Sequence, residues 1–209
     1  MKILEPVRTI PKEVVDQYWG IMPANVGHLK GLRFMDSGIK PVYRRCKAVG
    51  TAITVKAPGG VDGGILNQVS GMVQPGDIVV VDRGGDTEHA CIGEFRALQF
   101  LQLGAAGWVV DGAICDVIAI EDMAFPVFSR TVSALVVKPV GLQGEINVPV
   151  VCGGVVVNPG DLIVADDDGV VVLSPEEAQE LLPVLLEKEE KEAEMRKPHA
   201  DLLSRNRKR

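Results

Sequence analysis

Short apolar runs alternate with segments of helical periodicity along most of the chain. Residues 50–57 and 77–82 are rich in β-branched side chains and bounded by turn residues, and this pattern predicts two strands. Residues 88–103 place their apolar positions on one broad side, which predicts a helix that ends before Gly104. The elements predicted after it are a strand at 107–111, a short helix at about 117–123, and short strands at 126–129 and 134–138. Such alternation of strands and helices indicates the α/β fold class.

The two ends of the chain differ from this central part. The N-terminal quarter mixes helical stretches with glycine and proline breaks. Near the other end, Ser174 followed by Pro175 and Glu177 forms the sequence of a capping box. We therefore expect a C-terminal helix over about 175–196, with a kink or break at Pro183.

One twelve-residue pattern occurs twice. Residues 74–85 and 158–169 share six identical positions, including a Pro-Gly-Asp sequence ahead of an apolar run. Proline followed by glycine suits the central positions of a type II turn, because proline fixes φ and glycine accepts a positive φ. Each copy thus predicts a tight turn that leads into a buried strand. A duplication and two unrelated turn–strand units explain the likeness equally well.

Composition narrows the class of protein. The chain of 209 residues has room for one well-buried domain, residues 1–209, with a core at about 49–173. A formal net charge of −6 argues against a nucleic-acid-binding surface. Neither a signal peptide nor an uncharged membrane-length run is expected, and the four cysteines are dispersed. These features predict a cytoplasmic protein with free thiols, and a solvated basic tail at 205–209.

Acidic residues gather where predicted strands end. They occupy positions at the edge of an open α/β sheet that commonly binds ligands. Shared carboxylates at such an edge suit Mg²⁺ or Mn²⁺, which prefer oxygen ligands. Acidic residues also terminate strands and cap turns without binding metal, so spacing alone leaves both interpretations open. The residues concerned are Asp82, Asp86, Glu94, Asp111 and Asp116.

A longer ordered pattern resembles a known family. It is similar to the 4-hydroxy-4-methyl-2-oxoglutarate aldolases, which are class II pyruvate aldolases, and to the regulator of ribonuclease activity A proteins. The resemblance extends over roughly residues 49–196 and implies an α-β-β-α swivelling sandwich that assembles into homotrimers, or into hexamers made of two trimers. The matching motifs are Gly85-Asp86-x-x-x-Ala90-x-x-Gly93-Glu94, Gly107, Asp111-Gly112-x-x-x-Asp116, and residues 148–171.

The same resemblance implies a catalytic site. Catalytic members carry a carboxylate about twenty residues before an Arg-Asp pair, whose Asp ligates a divalent metal and whose Arg binds the pyruvyl group. These positions correspond to Glu94, Cys115 and Asp116, so a cysteine replaces the arginine and a glutamate the usual aspartate. A further acidic ligand from a neighbouring subunit corresponds to Glu192. The substrate carboxylate is expected on the backbone N–H groups of Gly93, Glu94, Phe95 and Arg96.

Other residues are candidates for the missing arginine's role or for further chemistry. Arg83 directly follows a predicted strand and could reach the substrate from another wall, or it could pair with Asp82 or Asp86. Cys115 lacks a nearby histidine in the sequence, which argues against a nucleophilic thiol. Of the three histidines, His89 could lie at the rim of the site or on the surface. His28 gives no decisive signal, and His199, which follows Pro198 in the charged tail, is expected to be solvated.

The resemblance and the retained carboxylates imply a divalent-metal-dependent carbon–carbon lyase, of the aldolase or oxaloacetate decarboxylase type. Its substrate would be a small 2-oxo acid and its intermediate a pyruvate enolate. We expect Mg²⁺ or Mn²⁺ as cofactor, and neither nucleic acid nor membrane as partner. The loss of arginine at position 115 favours the alternative, a non-catalytic regulator that binds a ribonuclease.

Overall fold

A computed structural model describes residues 2–29, 31–59, 64–138 and 143–199. Six α-helices lie within these residues: α1 (Lys12–Gln17), α2 (Pro23–Val26), α3 (Gly64–Val69), α4 (Glu94–Gln102), α5 (Val117–Asp122) and α6 (Pro175–Arg196). The strands before α4 are β1 (Lys2–Ile3), β2 (Arg33–Phe34), β3 (Lys40–Pro41), β4 (Ala48–Lys56) and β5 (Asp77–Asp82). Those after it are β6 (Gly107–Ile114), β7 (Val127–Val132), β8 (Glu145–Ile146), β9 (Val150–Cys152), β10 (Val155–Val157), β11 (Leu162–Ala165) and β12 (Val170–Leu173).

Strand β4 is the centre of a ten-stranded sheet. The strand order is β2-β12-β11-β4-β5-β6-β7-β3, while β8 pairs with β1 and with the end of β4. Strands β4 to β7 run parallel, whereas β11 and β12 run antiparallel to their neighbours. Strands β9 and β10 form a separate antiparallel pair. The carboxyl ends of β5, β6 and β7 therefore meet at one edge of the sheet.

Three apolar cores separate four layers. The first lies between α3, α4 and α5 and one face of β4 to β7, where Phe100 packs edge-on against Trp108 at a centroid distance of 4.8 Å. The second lies between the opposite face of these strands and β9 to β12. The third packs β11 and β12 against α6 and the N-terminal helices. The α-β-β-α arrangement with a C-terminal helix is thus confirmed, and the β4–β11 ladder joins its two sheet layers.

Local sequence signals explain most element boundaries. The strand predicted at 77–82 is observed with these bounds, and its apolar residues are buried on both faces. At the C-terminal helix, the Ser174 hydroxyl accepts from the Glu177 N–H while the Glu177 carboxylate accepts from the Ser174 N–H. Pro183 lies inside α6, which is continuous from Pro175 to Arg196, so of the predicted kink or break the break is wrong. The predicted basic tail at 205–209 lies outside the described residues.

Two predicted elements next to the sheet edge were wrong. The helix expected from Glu88 begins only at Glu94, because Ala90 forms parallel bridges to Ala113 and Val136. Backbone pairing to two different segments holds this stretch extended, and tertiary contacts override its helical periodicity. The strand expected at 134–138 contributes only that single bridge at Val136.

The repeated twelve-residue pattern forms two equivalent turns. Gly76 and Gly160 each have a φ of +89°, and in each turn the following aspartate donates its N–H to the residue before proline. The aspartate carboxylates are buried and accept from the same position of the turn. Each also pairs with an arginine at 2.6 Å, Asp77 with Arg8 and Asp161 with Arg33. The two turns lead directly into β5 and β11, which lie on opposite sides of β4 in the sheet.

Within the described residues, no helix combines the length and the apolar character that crossing a membrane would require.

The buried Asp161 should be a strong contributor to stability. Replacing it by alanine in Asp161→Ala leaves the Arg33 guanidinium and the Asn158 N–H without their shared acceptor. We expect the free energy of unfolding to fall by about 2–4 kcal/mol in urea titrations. Asp16→Ala removes an exposed carboxylate that pairs with Lys12, and should stay within about 0.5 kcal/mol of the parent protein. Equal effects of the two substitutions would contradict this assignment.

Candidate functional site

A cavity lies at the carboxyl ends of β6 and β7. Its volume is about 460 Å³, and it opens where the first turn of α4 meets the β6–α5 connection. This is the edge at which open α/β sheets bind ligands. The lining residues are Ala90, Cys91, Ile92, Gly93, Glu94, Phe95, Arg96, Cys115, Asp116, Val132, Ser133, Ala134, Val136 and Val137.

Asp116 is held in the cavity by an unusual backbone conformation. It occupies the N-cap position of α5 with φ 56° and ψ 40°, in the left-handed region that aspartate tolerates better than most residues. Its carboxylate turns away from its own helix, and Oδ2 accepts the N–H of Glu94 at 2.9 Å. Asp116 therefore caps α4 from a different segment of the chain, with its negative charge at the positive end of that helix.

Gly93 makes this contact possible. A β-carbon built on Gly93 would lie 2.7 Å from the Cys115 sulfur and still closer to Oδ2 of Asp116. Real β-carbons essentially never approach so closely, and the φ of Gly93 is an ordinary −144°. The requirement for glycine is therefore one of space at the bottom of the cavity.

Cys115 lies beside Asp116 with a half-buried thiol. The Ile92 carbonyl accepts both the Cys115 N–H at 2.9 Å and the thiol at 3.5 Å. Burial, followed by the nearby Asp116 carboxylate, raises the pKa of this thiol to about 11. The thiol is therefore protonated at neutral pH, which does not suit a nucleophile.

Asp116 and Glu94 both line this cavity, and carboxylates are the kind of ligand that Mg²⁺ takes in proteins. Mg²⁺ commonly takes one or two protein carboxylates and fills its remaining positions with water and substrate oxygens. The described part of the chain holds no group of three or more His, Cys, Asp or Glu placed to bind a metal. One chain thus offers a partial set of ligands.

Glu192 does not line this cavity in the same chain. It lies on α6 in a separate groove with His28 and His199, and pairs with Arg196 at 2.8 Å and with Lys188 at 3.7 Å. Any contact of Glu192 with Asp116 would need a second copy of the chain.

The other acidic residues at the strand ends have structural partners. Asp82 accepts the Gly84 N–H at 2.8 Å, and Asp111 binds the Arg130 guanidinium and the Gly153 N–H. Of the five candidates named from the sequence, only Glu94 and Asp116 reach the cavity. The interpretation of such residues as turn and cap groups therefore holds for most of them.

Arg83 does not reach the cavity, which corrects its assignment as a substitute for the missing arginine. Its side chain is fully buried, donates to the Ala57 carbonyl at 2.9 Å and pairs with Asp86 at 3.3 Å. His89 is also turned to Asp86, with 3.0 Å between Nδ1 and Oδ2. Neither residue is among those that line the cavity.

Two features around the cavity were not predicted from the sequence. One is the side chain of Arg96, which lines the wall although only its backbone N–H was expected to matter. The other is an apolar rim, in which Phe95 is 81% exposed and Ile118 is 78% exposed. The rim continues through Val132, Leu135 and Val136, all more than half exposed. Burial cannot be read from an apolar residue alone, so no sequence signal distinguishes this rim from core positions.

Sequence relatives match most of the chain. The chain is 41% identical over 154 residues to a protein of Halalkalibacterium halodurans named "Putative 4-hydroxy-4-methyl-2-oxoglutarate aldolase", covering 74% of this chain and 72% of that protein. It is 38% identical over 161 residues to an uncharacterized protein of Methanocaldococcus jannaschii, covering 77% of each.

Solved structures show the same architecture. RraAS2 of Streptomyces coelicolor, described as an unusual member of the RNase ES inhibitor RraA family, aligns with a TM-score of 0.79 at 30% identity. That alignment covers 91% of this chain and all of RraAS2. The RNA-processing inhibitor RraA from Thermus thermophilis aligns with a TM-score of 0.64 at 25% identity, over 71% and 88% of the two chains. A family model described as RraA-like, Aldolase/RraA, matches residues 12–172, and the chain belongs to this family.

Proposed function

We propose that the protein is a divalent-metal-dependent carbon–carbon lyase that cleaves or decarboxylates small 2-oxo acids. The observation that carries the proposal is the placement of the Asp116 carboxylate in a cavity beside the first turn of α4. A metal-binding carboxylate and a helix N-terminus within one cavity suit a substrate that has adjacent carbonyl and carboxylate oxygens. The aldolase name of the relative from Halalkalibacterium halodurans supports the same chemistry.

The residues have distinct roles in this proposal. Asp116 holds Mg²⁺ or Mn²⁺, and Glu94 positions water around the ion. When bound, the cation supplies Lewis-acid chemistry at the oxygens of the 2-oxo acid. The N–H groups of Phe95 and Arg96 fall in the first turn of α4, where no acceptor exists within the helix, and they are available to the substrate carboxylate. The apolar wall from Val132 to Val137 limits the access of water to the reacting carbon.

A trimer, or a hexamer of two trimers, completes the site in this proposal. The apolar rim around the cavity would be buried against a second copy, as exposed apolar patches commonly are at interfaces. The same contact would bring the partner subunit's α6, with its Glu192 position, to the open side of the cavity. In one chain that side has no third carboxylate among the described residues.

A regulator that binds a ribonuclease is the second candidate. Cys115 in place of arginine removes a forked donor from the cavity, and the apolar rim is equally suited to a protein partner. The RNA-processing inhibitor from Thermus thermophilis gives this candidate support from within the family. The two functions differ in whether Asp116 is needed for turnover of a 2-oxo acid.

Pyruvate release from oxaloacetate and from 4-hydroxy-4-methyl-2-oxoglutarate tests the proposal directly. The parent protein should show turnover with Mg²⁺ or Mn²⁺ and none with excess chelator. Asp116→Asn keeps an acceptor for the Glu94 N–H but loses the charge, and should lower kcat/KM by on the order of 100-fold. The matched control is Asp122→Asn, which removes an exposed carboxylate at the other end of α5 and should behave like the parent.

Turnover equal in the parent and Asp116→Asn would contradict the metal-site assignment. No turnover in any protein, together with capture of a ribonuclease that depends on Phe95 or Ile118, would establish the regulator instead. In sedimentation equilibrium at micromolar concentration, trimers or hexamers are expected. A monomer would remove the role given to Glu192.

The thiol of Cys115 should titrate far above neutral pH. With a pKa of about 11, its thiolate fraction at pH 8 is about one in a thousand, so alkylation by iodoacetamide should be slow there. The rate should rise about tenfold per pH unit until it approaches pH 11, as measured by mass spectrometry of the labelled peptide. Cys115→Ser identifies the signal, since the other three cysteines are buried. Half-maximal labelling near pH 8.5 would contradict the burial argument.

A further inference from the structure

Arg96 differs from the other buried or half-buried arginines of the described residues. Arg8, Arg33, Arg83 and Arg130 each pair with at least one carboxylate. Arg96 is half-buried, yet it forms no ion pair within the described part of the chain. Its Nη2 donates to the Asn67 side-chain oxygen at 2.9 Å, and its Nη1 is buried with no hydrogen-bond partner.

The surroundings of Arg96 add positive charge. Burial lowers the pKa of its guanidinium, Cys91 opposes that change, and the nearby charge of Arg83 lowers the pKa again. Arg83 shares the single carboxylate of Asp86 with His89, and its own Nε is buried without a partner. Guanidinium groups stay protonated in proteins, so this wall carries a half-buried cation that has no carboxylate partner among the described residues. An uncompensated buried charge is costly, and a bound anion would relieve that cost.

The position of Arg96 places this cation at the substrate site. Arg96 is the third residue of α4, and it lines the same cavity as Glu94, Cys115 and Asp116. The Asn67 side-chain oxygen on α3 accepts from Nη2, whereas Nη1 has no partner among the described residues and is closed off from solvent, so it would reach an anion in the cavity after the side chain rotates. Carboxylates match such a fork, and a short swing of this long side chain needs no movement of the backbone.

We propose that the Arg96 side chain binds the carboxylate of the 2-oxo acid and replaces the arginine that is absent at position 115. This inference rests on the proposed lyase function and assigns its anion-binding residue. In this assignment the positive charge that binds the carboxylate comes from the first turn of α4, on the other side of Gly93, and not from the loop before α5. The N–H groups of that turn and the guanidinium then act on the same carboxylate.

The assignment is tested by a double-mutant cycle of four proteins: the parent, Arg96→Gln, Cys115→Arg, and the variant with both substitutions. Arg96→Gln should weaken binding of oxalate, a planar mimic of the enolate, by about 10- to 100-fold in calorimetry with saturating Mg²⁺. The KM for oxaloacetate should rise by a similar factor, whereas Mg²⁺ affinity without oxalate stays unchanged. Cys115→Arg should restore oxalate binding in the Arg96→Gln background, and its gain in affinity there should exceed its gain in the parent.

Two further variants control for loss of charge and loss of fold. Arg44→Gln removes an exposed arginine and should bind oxalate like the parent. Arg96→Lys keeps the charge without the fork and should lose only part of the affinity, and it remains informative if Arg96→Gln does not fold.

The outcomes separate this inference from the proposed function. If the parent shows turnover and the Arg96 variants match it in oxalate affinity and KM, the role of Arg96 is wrong and the lyase stands. If the parent neither binds oxalate nor shows turnover, both proposals fall. An equal loss in Arg96→Lys and Arg96→Gln, accompanied by reduced Mg²⁺ affinity, would make Arg96 a structural residue only.

Discussion

The candidate site depends on the close approach of two helix beginnings, α4 and α5. Asp116 reaches across from α5 to accept the Glu94 N–H because Gly93 has no β-carbon in the way. The left-handed backbone of Asp116 is the local cost of this arrangement, on the order of 1 kcal/mol. In return, a single contact fixes the carboxylate that we propose binds the metal, leaves the neighbouring N–H groups of α4 open to the cavity, and places Cys115 beside both. The sheet edge is part of the family fold, and the contact between Asp116 and the Glu94 N–H shapes the candidate site at that edge.

The proposed function needs both signs of charge in one cavity. Asp116 and Glu94 line it with the carboxylates that a divalent cation would need, whereas Arg96 and the N–H groups at the start of α4 carry positive charge. In that proposal, a small 2-oxo acid bound through the cation would offer its carboxylate to these positive groups. The apolar rim lies outside both groups of charge and would be buried by the partner that covers the cavity. The replacement of arginine by Cys115 therefore alters the source of positive charge in the site without making the cavity uniformly negative.

The sequence predicted those parts of the structure that local chemistry determines. The buried strand at 77–82 and the capping box at Ser174 follow from their own residues. The start of α4 does not, because Ala90 pairs with Ala113 and Val136, which are distant in the sequence. Likewise, Asp111 and Asp116 look equivalent in the sequence, yet Arg130 engages the first while Gly93 leaves room for the second. The role predicted for Arg83 was wrong for the same reason, because its contacts with Asp86 and the Ala57 carbonyl hold the side chain in the interior.

The central claim is that the space at Gly93 holds the Asp116 carboxylate in position to bind a divalent cation. Titration of Mn²⁺ into Gly93→Ala tests it most directly, because the added methyl group would collide with Asp116 and Cys115 while the backbone remains unstrained. Gly20→Ala is the matched control, as a β-carbon there meets nothing within 4 Å. Gly93→Ala, still folded by its melting curve, should lose Mn²⁺ affinity by about tenfold or more, which is about 1.4 kcal/mol. Unchanged Mn²⁺ affinity in folded Gly93→Ala would contradict it.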